Sequence, residues 1–165
     1  MKITQEYARK VIEEVAPLVE KVSGLKTDLN NYVVIIEKSL NNMAWYSHPK
    51  TFTYTEEFLY NDDAFHEITA HEIFHNAIFS KFPNLSDYKN SFYSHSLDCL
   101  IEGDATLIQL NLRNKYYKNS NWISSSDALL WVNILNKEFG GNREYINALY
   151  TAPIEELVKI FRGDE

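Results

Sequence analysis

Residues 61–80 of this chain constrain its fold more than any other stretch. Phe65, Ile68, Ile73, Phe74, Ala77 and Ile78 spread apolar side chains around most of a helical circumference. Asn61-Asp62-Asp63 supplies a cap and negative charge for the helix start, and Pro83 stops the helix after about Ser80. A helix that is apolar on most sides has no face to give to water, so the rest of the chain must pack around it as a central buried element. Yet the same helix carries His71-Glu72-Ile73-Phe74-His75. On a helix, residues four apart differ by roughly 40° in azimuth, so the two imidazoles point the same way. Two buried histidines on one face need partners. One ion at about 2.0–2.1 Å from each nitrogen would satisfy both, the alternative being core histidines satisfied by hydrogen bonds. Glu72 projects beside them, where a carboxylate can serve as base toward a metal-activated water.

The remaining elements follow from periodicity. Ile3, Tyr7, Val11, Val15, Leu18 and Val22 form one helical stripe ending near Gly24, with Pro17 expected to kink or split it. Three short β-rich runs come next, 32–37, 43–47 and 51–55, punctuated by Asn41-Asn42 and His48-Pro49-Lys50. They predict a small antiparallel sheet. After the histidine helix, a polar connection leads to a long helix from about Ser96 to Lys118. A further helix is capped by Ser124-Ser-Ser-Asp127 and ends at Gly140-Gly141, and two short helices close the chain, the last opening at Pro153. Helix, sheet and then helices, with no linker to divide them, predict one α+β domain over residues 1–165.

A catalytic metal centre needs a third protein ligand and an open position. Glu102, His95 and Asp98 are the candidates. Glu102 lies in the apolar stretch Cys99-Leu-Ile-Glu-Gly-Asp-Ala-Thr106 of the second long helix, where a carboxylate without a cation would be costly. Gly103 costs about 1 kcal/mol in a helix relative to Ala, and close approach of the two helices would explain both it and Ala105. His95 returns to the same face two turns before Glu102, too far along the axis to share the ion. It is placed instead to stabilise an oxyanion or protonate a leaving amine. His66 faces away from His75, His48 reads as a turn residue, and Glu67, one turn before His71, is a candidate acceptor for its second N–H.

With one cysteine, Cys99, neither a disulfide nor a thiolate metal site is available, so any metal is held by histidine and carboxylate. A net charge of −7 argues against a nucleic-acid partner. No run approaches the roughly 18 apolar residues a membrane span needs, and the charged N-terminus lacks a signal-peptide pattern. A cytoplasmic protein with no membrane partner is therefore expected.

His-Glu-x-x-His followed 27 residues later by Glu-Gly-x-Ala on a second helix resembles the gluzincin zinc metallopeptidases, and in size the chain is similar to the minigluzincins. The resemblance covers about Tyr32 to Thr106. It implies a Zn²⁺ cofactor held by His71, His75 and Glu102, Glu72 as general base and acid, and a peptide or protein substrate. Asn42-Met-Ala-Trp-Tyr46 is similar to the edge strand that binds substrate backbone in that clan, where free N–H and C=O groups suit an extended peptide. The segment 140–156 is similar to the C-terminal part of small zinc peptidases, and in minigluzincins that part can lie over the cleft and keep the enzyme latent. Two positions depart from the larger relatives. Thr106 stands where they carry an aspartate four residues after the third ligand, and His95 stands where some carry a tyrosine. The expected function is thus a zinc-dependent peptidase with Glu72 and His95 as catalytic residues; its last helix either completes the core away from the zinc or, as the resemblance allows, covers the cleft and keeps the enzyme latent. A second reading is a non-enzymatic zinc-fold protein that binds a peptide through the edge strand.

Overall fold

Thr4 starts the first helix: its side chain accepts a hydrogen bond from the Tyr7 backbone N–H at 3.2 Å, and α1 runs over Gln5–Ser23. The computed structural model describes residues 1–38, 43–85, 94–124, 126–140 and 142–153, apart from the side chains of 94–99, 127, 138–139 and 145. Helix α1 continues unbroken through Pro17 and buries Ala8, Val11, Ile12, Val15, Ala16 and Val19. It stops where expected, at Gly24, whose φ of 74° closes the last turn through an N–H to Glu20 bond.

The three β-rich runs become β1 (Val33–Glu37), β2 (Ala44–Ser47) and β3 (Thr51–Thr55), in the order β1-β3-β2. Strands β2 and β3 form the expected antiparallel pair, Ala44 opposite Tyr54 and Ser47 opposite Thr51. Strands β1 and β3, however, are parallel, with Val33 opposite Thr51, so the sheet is mixed rather than wholly antiparallel. The reason lies in connection length. The turn at 48–50 is too short for anything but a hairpin, whereas 13 residues (38–50) separate β1 from β3, the span a parallel crossover needs. Strand β3 is central and buries Phe52, Thr53, Tyr54 and Thr55, leaving β2 as an edge strand beside the histidine helix.

Helix α2 (Asp62–Lys81) starts as the sequence predicts: the Asn61 side chain accepts from the Ala64 N–H at 3.0 Å, and Asp62 and Asp63 occupy the positive first turn. Its buried residues, from Ala64 to Phe79, lie on every face. Helix α1, strand β2 and helix α3 (Ser94–Lys115) enclose it, and α4 (Ser126–Phe139) packs on α3. The described residues thus form five helices and a three-stranded sheet, an α+β fold. None of the described helices is long and apolar enough to cross a membrane.

Gly103 serves a different contact from the one expected. A Cβ built there would stand 3.0 Å from the Trp131 carbonyl oxygen, so this glycine allows α4, not α2, to approach α3. Helix α5 (Arg143–Leu149) is then pinned to α3 by a buried polar cluster. Arg143 forks onto the carboxylate of the fully buried Asp104, with one bond of 2.8 Å, and the Tyr150 hydroxyl donates to the same group. The C-terminal segment from 154 onward, with the expected last helix and the choice between completing the core and covering the cleft, lies outside the described residues.

Candidate metal centre

His71 and His75 occupy successive turns of α2, with ring centroids 4.8 Å apart. From α3, Glu102 reaches between them: its Oε2 lies 3.3 Å from His71 Nε2 and 3.5 Å from His75 Nε2. One ligand atom from each residue falls within 4.8 Å of the others. A tetrahedral ion with bonds of about 2.0–2.2 Å requires ligand atoms separated by about 3.3–3.5 Å; the two histidine–carboxylate separations match that, and the group as a whole, at 4.8 Å, is wider than a closed coordination shell. The donor set fits as well. Two imidazole nitrogens and one carboxylate suit a borderline divalent ion such as zinc, with no thiolate needed. Three ligands leave a fourth position for solvent or substrate. Of the three side chains Glu102 is the most exposed, at 38%, against 18% and 11% for the histidines, so the group opens on its side.

Electrostatics couple the imidazoles to the Glu102 carboxylate. Burial disfavours the charged form of His71, but the carboxylates of Glu102 and Glu72 and the amide of Gln109 more than compensate and raise its pKa. Burial would likewise raise the Glu102 carboxyl. The two imidazoles overturn that and hold it far below the usual carboxylate range.

These three residues and Glu72 line one cavity of about 360 Å³. Its other wall is Ala44, Trp45 and Tyr46 of β2, followed by His48 and Phe79. Glu72 is buried at this cavity and stands outside the ligand group, as its place in the motif predicts. The edge strand therefore borders the histidine–glutamate group. Asn76 helps fix that wall: its side chain bridges the Asp28 backbone at 2.9 and 3.0 Å and donates to the Tyr46 hydroxyl at 3.4 Å.

Other sequence candidates distribute less simply. His95, expected to be catalytic, falls within the bounds of α3, but its side chain, like those of Asp98 and Cys99, lies outside the described set, as does Asn42 of the edge-strand motif. His66 faces away as expected, 3.5 Å from Glu14 and packed on Tyr117. Glu67, a candidate acceptor for His71, instead binds Gln109, Ser120 and Arg113. Tyr54 is fully buried against Phe65, and Tyr150 is committed to Asp104, so neither belongs to the cavity wall. His48 was expected only in a turn, but it lines the cavity and stacks on Phe79 at 5.4 Å. Nothing in the local sequence marks that role, because it depends on where the β2–β3 hairpin lands relative to α2. Compared with protein-family models, curated proteins and solved structures, the chain matches none.

Proposed function

We propose that this chain is a zinc-dependent peptidase of the gluzincin type. The observation that carries the reading is the meeting, in one cavity, of the His71/His75/Glu102 group, the buried Glu72 carboxylate and an edge strand. His71, His75 and Glu102 would hold the ion. A zinc ion bound there would polarise a peptide carbonyl and acidify a water molecule.

The chain's own residues supply the rest. Among the described residues strand β2 pairs on one side only, with β3, and on this reading its other edge offers N–H and C=O groups to which an extended peptide can add as a further strand. This pairing holds the scissile bond at a fixed height above α2. Glu72 takes a proton from the attacking water and returns it to the departing amine, so that the leaving group departs neutral. His95 has a supporting role in this reading, donating to the oxyanion that develops on the carbonyl. His95→Phe should then lower kcat by about 10²-fold with metal content unchanged. An unchanged kcat would pass the role to another group, with Tyr93 the first to test.

Elemental analysis of the purified chain tests the centre itself. One zinc per chain is expected, and it should be lost in His71→Ala, in His75→Ala and in Glu102→Ala. Full occupancy in Glu102→Ala would remove it as third ligand. Digestion of a peptide library by the zinc-loaded chain tests the activity, with chelator-sensitive cleavage the expected result. A loaded chain that binds peptides and cuts none would favour the non-enzymatic peptide-binding reading.

A further inference from the structure

Strand β2 has four residues and, among those described, is tied by its backbone ladder on the β3 side alone. A peptide laid along its other edge meets the metal centre correctly only if the strand keeps one height above α2. Side chains must supply what the ladder does not. We propose that Asn76 sets that height by clamping β2 to the residue next to a metal ligand, and so positions the peptide substrate. The inference rests on the peptidase reading above.

Asn76 follows His75 directly on α2 and is wholly buried. One residue turns about 100° around a helix, so His75 faces the cavity while the next side chain leaves α2 to one side. A buried carboxamide is costly unless its donors and acceptor are used. Here three bonds use them, and all three leave α2. Asn76 Oδ1 accepts from the Asp28 N–H at 2.9 Å, and Nδ2 donates to the Asp28 carbonyl at 3.0 Å. This two-point pairing with one backbone residue fixes which end of the amide is which. Nδ2 also donates to the Tyr46 hydroxyl of β2 at 3.4 Å. The hydroxyl accepts that bond and donates its own hydrogen to the Pro49 carbonyl in the β2–β3 turn at 3.1 Å.

The bonds thus run from α2 through Tyr46 into the hairpin, with every donor matched to an acceptor. The Tyr46 ring packs on both layers, 6.1 Å from Phe79 of α2 and 5.1 Å from Phe52 of β3. Lys50 adds a second tie from the hairpin, 2.6 Å from the Asp28 carboxylate and 3.1 Å from the Asn30 carbonyl. Asp28 therefore receives both ties, its backbone from Asn76 and its carboxylate from Lys50. That ion pair is partly exposed and contributes little alone, so the buried amide is the stronger tie. His75 and Asn76 are consecutive residues of one helix, so the metal ligand and the clamp cannot move apart. Asn76 lies outside both the ligand group and the cavity lining; it is a positioning residue.

The test is peptide affinity, read by fluorescence anisotropy on the zinc-loaded Glu72→Gln chain with a fluorescein-labelled peptide that this chain selects from a library. Zinc content and thermal unfolding are measured alongside. Asn76→Ala and Tyr46→Phe, each added to Glu72→Gln, should weaken peptide binding by about 10-fold with one zinc per chain retained. Both changes together should weaken it no more than about twofold beyond the weaker single variant, because both act through one hydrogen bond. An amide that only braced the fold would lower the melting temperature and leave the affinity of the folded chain unchanged, which overturns the inference. Losses that add in the combined variant overturn it too, as does loss of zinc in Asn76→Ala. Should Asn76→Ala not fold, Tyr46→Phe keeps the ring and its packing, and an unchanged affinity there overturns the inference by itself. A zinc-loaded parent that selects no peptide would remove the edge-strand reading and this inference together. Equal binding by the parent and both single variants would remove the inference alone.

Discussion

Glu72→Gln is expected to retain one zinc per chain and to lower peptide hydrolysis by about 10²–10⁴-fold, the contribution of a positioned general base. The substitution preserves the shape of a side chain that is only 8% exposed, so neither the packing of α2 nor the ligand group should move. What it removes is the ability to accept a proton. Glu72 is suited to this separation of effects because it lines the same cavity as His71, His75 and Glu102 but lies outside the group whose atoms converge. Parallel measurements of zinc content and of kcat with a fluorogenic peptide check it. Loss of zinc in this variant would make Glu72 a ligand, and undiminished cleavage would transfer the base to another group. His48, the remaining imidazole on the described cavity wall, would then be the residue to replace next.

Much of this arrangement is written in local spacing. The i, i+4 placement of His71 and His75 on a helix apolar around most of its circumference points to a shared partner, with hydrogen-bonded core histidines as the alternative, and Glu102, a carboxylate in an apolar stretch, points to a cation. The structure brings the Glu102 carboxylate to 3.3 and 3.5 Å from the two imidazoles. Helix ends were legible for the same local reason: Gly24 and Asn61 cap where their backbone or side-chain chemistry dictates. Features that depend on how distant elements meet were not. Strand β1 reads identically whether its neighbour is parallel or antiparallel, and only the 13-residue interval to β3 hints at the crossover. Gly103 signals a close approach without saying whose, and the answer is α4. Glu67, one turn before His71, reads as an acceptor for it, and only the packing of distant elements shows it turned instead to Gln109, Ser120 and Arg113.

Asp104→Ala should destabilise the fold by about 3–5 kcal/mol, the range for breaking a buried ion pair from one side. Asp104 is fully buried two residues after Glu102, and three donor contacts converge on it: two from the Arg143 guanidinium and one from the Tyr150 hydroxyl. Arg143 is further fixed by its Nε bond to Asn147 at 2.8 Å, so it cannot easily follow its lost partner into solvent. Removing the carboxylate therefore leaves a partly buried guanidinium and a buried phenol unpaired, which costs more than the pair itself contributes. Tyr150→Phe removes one donor and leaves the ion pair, so it should cost only about 0.5–1.5 kcal/mol. The contrast between the two variants separates the ion pair from the hydroxyl hydrogen bond. Replacing both charged partners, Asp104→Leu with Arg143→Met, should recover most of the loss, because no charge is then left buried. Urea unfolding in the presence of a chelator is the appropriate measurement, since bound metal would add its own stabilisation to the native state. Against a total stability of about 5–15 kcal/mol, the single variant would sit near the edge of folding at physiological temperature. A loss below about 1 kcal/mol would mean that α5 is held to α3 by apolar contact alone. The Asp104 cluster would then have no part in bracing the helix turn that carries Glu102.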